Sequence, residues 1–137
     1  MKKVDAQLRD KITDLISANG LSISEFALEK DFIVTDVLRA ISTITHDKFD
    51  LVFCGGTCLS KAYGLLERIS EDVDIKVVPK AGVQLSAGQQ RTAIRALKAD
   101  VKAALVAVGF DETHIAMSAR DGNSYVVFDA EYSTHCD

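Results

Sequence analysis

An apolar run that stops on two adjacent glycines limits this chain more than any other feature. Asp50-Leu51-Val52-Phe53-Cys54 reads as a buried strand, and Gly55-Gly56 ends it. From Thr57 to Leu66 the apolar spacing turns helical. From Asp72 to Val78 polar and apolar residues alternate as in a strand, and Pro79 closes the run. A strand, a bend free of side chains, a helix and a second strand opening on two aspartates must pack as one α/β unit.

The flanking segments supply layers for that unit. Val4, Leu8, Ile12, Leu15 and Ile16 fall on one helical face ahead of Asn19-Gly20. A second helix follows Ser24, with Val34, Val37, Leu38, Ile41 and Ile44 at helical spacing. A long helix is expected over Ala87 to Val108, with Ile94, Leu97, Val101, Leu105 and Val108 inward and Gly109 as its stop. His114 to Ala119 and Ser124 to Ser133 read as strands joined by a turn at Asp121-Gly122-Asn123. The order α-α-β-α-β-α-β-β predicts an α/β fold: a mixed sheet of about four strands, helices against it and two N-terminal helices. With 137 residues the chain suits a single domain, read as a helical cap over 1–48 and an α/β core over 49–137.

The physical case for chemistry lies at the glycines and aspartates. Gly55 and Gly56 let the backbone bend and approach a ligand with no Cβ in the way. A helix opening near Thr57 offers free N–H groups and its positive dipole end to an anion, and Ser60 adds a hydroxyl. Asp72 and Asp74, two apart on a strand, leave one face about 7 Å apart. That spacing suits hard cations such as magnesium or manganese, set about 3.5–4 Å apart. Val73, Ile75 and Val77 are expected to point into a core.

Gly-Gly-Thr-Cys-Leu-Ser-Lys over 55–61, followed by Arg-Ile-Ser-Glu-Asp-Val-Asp over 68–74, closely resembles the signature of the AbiEii/AbiGii toxin family of nucleotidyltransferases, within the polymerase-β superfamily. The resemblance implies that fold and a divalent-metal enzyme moving a nucleoside monophosphate from a nucleoside triphosphate to an acceptor, tRNA or another RNA. It implies a cognate antitoxin protein as partner. Asp72 and Asp74 would hold the metal. Gly55, Gly56, Thr57, Ser60 and Lys61 would hold the triphosphate. The superfamily's third carboxylate falls to Asp129, as a third metal ligand or a base for the acceptor hydroxyl, with Glu131 on the same strand face as its alternative. Family members continue into a C-terminal helical region, which this chain is expected to lack. Two rivals therefore stand beside the transferase: an inactive remnant acting as a partner-binding module, and a metal-dependent phosphohydrolase using the same acidic pair.

The remaining features read more simply. Arg91, Arg95, Lys98 and Lys102 share one helix face, either a solvated surface or a track for an RNA backbone. Cys54 and Cys58 read as small core residues, because the 3 cysteines show no disulfide or zinc spacing. Arg68 reads as a salt-bridge partner. The net charge of −4 does not suggest wholesale nucleic-acid binding and does not exclude it, because a local basic stripe can work on an acidic protein. With no signal peptide and no membrane span in the sequence, a soluble cytoplasmic protein is expected.

Overall fold

The first helix starts where Asp5 supplies a cap: its Oδ1 accepts from the Leu8 N–H at 2.7 Å. In the computed structural model, which describes residues 2–19, 24–54, 72–121 and 125–134, α1 runs over Ala6–Asn19 and α2 over Glu25–Ser42. Ser24 caps α2 by accepting from the Ala27 N–H at 3.1 Å. Strands β2, Phe49–Cys54, and β3, Asp74–Pro79, follow. The long helix α3 is Ala87–Ala107, opened by a capping box in which the Ser86 and Gln89 side chains each accept from the other's backbone N–H. Strands β4, Ile115–Arg120, and β5, Tyr125–Ala130, come last but for two residues of β6, Tyr132–Ser133. The helix expected over Thr57 to Leu66 lies outside the described residues.

Among the described residues the strands pair two by two. β2 with β3 and β4 with β5 are antiparallel, and β6 pairs in parallel with a short β1, Lys2–Lys3. Small sheets thus stand where one mixed sheet of about four strands is expected. Glu131 breaks the last run, its N–H donating to the His114 carbonyl at 3.1 Å. The two residues beyond the break are then taken by Lys2–Lys3. Val4, expected on the first helix, follows β1 instead and is only 2 % exposed.

Val4, Ile33, Leu105 and Phe110 form one core cluster, with Leu8, Val37, Val101, Ile115, Phe128 and Ala130 packed against it. Both N-terminal helices, α3 and the inner face of β5 therefore share a single interior. Glu29 of α2 is also enclosed, at 1 % exposure.

α3 ends in a Schellman motif. The Gly109 N–H donates to the Val106 carbonyl at 3.0 Å and the Phe110 N–H to that of Leu105 at 3.1 Å. Gly109 has φ +99, and a Cβ there would meet nothing nearer than the Lys2 side chain at 3.7 Å. The left-handed conformation alone should thus set the effect of Gly109→Ala, a loss of about 1–2 kcal/mol in urea unfolding at constant m-value. The Lys2 ammonium donates to the Val108 carbonyl and lies 5.6 Å from the centre of the Phe110 ring. It closes the negative end of the helix. Beyond it, the Asp111 carboxylate accepts from the Thr113 hydroxyl at 2.7 Å and the Thr113 N–H at 2.9 Å. Those bonds, the hydroxyl's first, hold its carboxyl well below the usual range.

Candidate functional site

The β2–β3 ladder decides where the acidic pair stands. Its register sets Phe49 opposite Pro79, Leu51 opposite Val77 and Phe53 opposite Ile75 on one face. On the other lie Asp50 with Val78, Val52 with Lys76, and Cys54 with Asp74. Phe49 is 4 % exposed, whereas the second face is open to solvent at Asp50, Val52, Asp74, Lys76 and Val78. Alternation along the strands thus buries the aromatic end and exposes the carboxylate.

Cys54 and Asp74 form the last rung of the ladder, with Cα atoms about 4.5–5.5 Å apart. The Cys54 thiol donates to the Asp74 carbonyl at 3.5 Å. Cys54 is half-buried on the outward side, which corrects its reading as a core residue. Its signal was legible, since positions 50, 52 and 54 must share a face. Cys54 is the last described residue ahead of Gly55 in the sequence, and it lies on the rung where Asp74 begins. Gly55, Gly56, Thr57, Cys58, Ser60, Lys61 and Arg68 themselves lie outside the described residues.

Asp72 is exposed and precedes the strand, which starts at Asp74. The two-residue strand spacing therefore does not apply to the pair as a whole. Asp74 is exposed too and, among the described residues, has no ion-pair partner. Of the residues expected to point inward, Val73 and Ile75 are half-buried and Val77 is 38 % exposed. Their face is only partly covered.

Asp129 belongs to a different sheet. It is exposed and faces Ala116 across the β4–β5 ladder, while Phe128 and Ala130 on either side turn into the core. Among the described residues no three His, Cys, Asp or Glu side chains gather as a ligand set for a metal ion. An open cavity of about 560 Å³ is lined by His46, Lys48, Gln89 and Thr92. It sits where β2 begins, at the opposite end of that strand from Asp74, and so is separate from the acidic pair.

No helix among the described residues is long and apolar enough to cross a membrane. A family model described as nucleotidyl transferase AbiEii toxin, type IV TA system, matches residues 36–134. No curated protein and no solved structure matches the chain.

Proposed function

The chain belongs to the nucleotidyl transferase AbiEii toxin family, of type IV toxin–antitoxin systems, and from that premise we propose that it transfers a nucleoside monophosphate from a nucleoside triphosphate to an RNA acceptor. The observation that carries this reading is the last rung of β2–β3. An exposed carboxylate, Asp74, stands opposite the residue that leads into Gly55-Gly56. A cation-binding carboxylate at the strand end from which the sequence enters the glycine pair supports this reading, since the phosphates of a nucleotide and their counterions must meet.

Asp72 and Asp74 would hold magnesium or manganese. They fit such an ion, because both are hard oxygen donors open to solvent and Asp74 has no competing ion pair among the described residues. Held by these two carboxylates, such an ion would supply neutralisation of the charge developing on the phosphates. Gly55, Gly56, Thr57, Ser60 and Lys61 hold the triphosphate by N–H, hydroxyl and ammonium donation. Asp129, on its separate strand, serves the acceptor hydroxyl. Type IV family membership brings an antitoxin partner with it, and the cytoplasm, where RNA and triphosphates occur together, is the proposed site of action. Positioning and charge compensation supply most of the rate, since phosphoryl-type transfer needs little covalent help.

The test offers the purified chain each of four α-labelled triphosphates with manganese or magnesium and total RNA. Label should appear in RNA with at least one nucleotide and vanish on chelation. Free labelled monophosphate with no labelled RNA would instead identify a phosphohydrolase, and no turnover of any nucleotide would defeat the proposal.

A further inference from the structure

We propose that the face of α3 bearing Arg91, Arg95, Lys98 and Lys102 binds the phosphodiester backbone of a single-stranded nucleic acid. At 100° per residue these four positions fall within an arc of about 60°, and at 1.5 Å per residue they extend over about 16 Å. The row spans about four to five stacked nucleotides at about 3.4 Å each.

The two arginines at the head of that row are poorly compensated. α3 carries four basic residues and one acidic residue, Asp100, a local net of +3 in a chain of net −4. Asp100 lies on the opposite flank of the helix. Arg91 and Arg95 are exposed and make no ion pair among the described residues. Lys102 meets Glu112 at 3.1 Å, but Glu112 is 70 % exposed. Such a surface pair is worth about 0–1 kcal/mol and yields readily to a phosphate.

Nucleic acid suits this face better than an acidic protein does. Two guanidinium forks match phosphate oxygens in pairs. α3 has no aromatic residue, and so lacks the Trp and Tyr side chains that, beside arginine, most often anchor a protein interface. The same lack removes any platform for stacking bases, so binding should be indifferent to sequence. The assignment rests on charge and geometry alone and is measured without turnover, which separates its fate from that of the transferase reading.

The experiment titrates the full chain against a fluorescein-labelled RNA of about twenty nucleotides and mixed sequence, and against DNA of the same sequence, at several salt concentrations. Affinity should fall with salt at a log–log slope of roughly −2 to −3, the value for three to four phosphates on a single strand. Arg91→Glu with Arg95→Glu should weaken binding at least thirty-fold at low salt while circular dichroism and the urea midpoint stay unchanged. Reversing two charges elsewhere, Lys11→Glu with Lys80→Glu, should change affinity less than three-fold. Equal affinity for RNA and DNA would support the surface as a reader of phosphates alone, and tighter RNA would support it with contacts to 2′-hydroxyls. Equal losses in the two double variants, or no binding of either strand at low salt, would overturn the proposal. So would polyglutamate held as tightly as RNA, which would give the face to an acidic protein.

Discussion

Asp72→Asn together with Asp74→Asn is expected to lower nucleotidyl transfer about 10³-fold or more while leaving the unfolding free energy within about 0.5 kcal/mol. The two halves of that expectation come from one fact. Both carboxylates are exposed, and Asp74 makes no ion pair among the described residues. Their amides keep the shape but lose the negative charge that holds a hard cation. Transfer of label to RNA and urea unfolding, measured on the same preparations, check the pair of statements. Arrest of growth in cells should disappear with the activity. If the doubly substituted chain still arrests growth, the chain acts as a binding module and the transferase reading is lost.

The second large effect is structural. Phe110→Ala should cost about 3–5 kcal/mol, against a total of about 5–15 kcal/mol for a domain of ordinary stability. Phe110 is 4 % exposed and joins Val4, Ile33 and Leu105 in the core cluster. Its backbone N–H closes the end of α3 on the Leu105 carbonyl, and its ring faces the Lys2 ammonium. Removing the ring opens a cavity between α2 and α3 and strips the lysine of its aromatic partner. Phe110→Leu should recover more than half of the loss, because it refills most of the volume. A drop in the urea midpoint equivalent to less than 1 kcal/mol for the alanine variant would show that the cluster is not the centre of the core.

Much of this was legible wherever periodicity is local. Leu97 and Leu105, expected inward, are buried on α3, as is Ala93, which was not among the expected residues, and the stop at Gly109 follows from a backbone only glycine adopts cheaply. β2 could be read from its apolar run and bounding glycine, although it is not the buried strand expected, since Val52 is 44 % exposed; β3 could be read from its alternation and bounding proline. What could not be read depends on distant partners. Nothing in Lys2-Lys3 announces a strand, since two lysines have low strand propensity and their ladder is supplied by Tyr132 and Ser133. Likewise, a pattern of apolar residues tells which face of a strand is covered but not which strand lies beside it. That is why one mixed sheet was expected where two-stranded sheets are found. At the site, alternation foretold that Asp74 faces solvent. It did not foretell that the strand begins at Asp74, leaving Asp72 ahead of it.

The parallel rungs between Lys2–Lys3 and Tyr132–Ser133 also set a clock on biosynthesis. At roughly 5–20 residues per second, the amino-terminal strand waits on the order of ten seconds for its mate to leave the ribosome. Until then Val4 has no finished interior to enter, and the nascent polypeptide shows apolar surface to chaperones and proteases. Loss of Tyr132 and Ser133 therefore leaves Lys2–Lys3 without a partner strand.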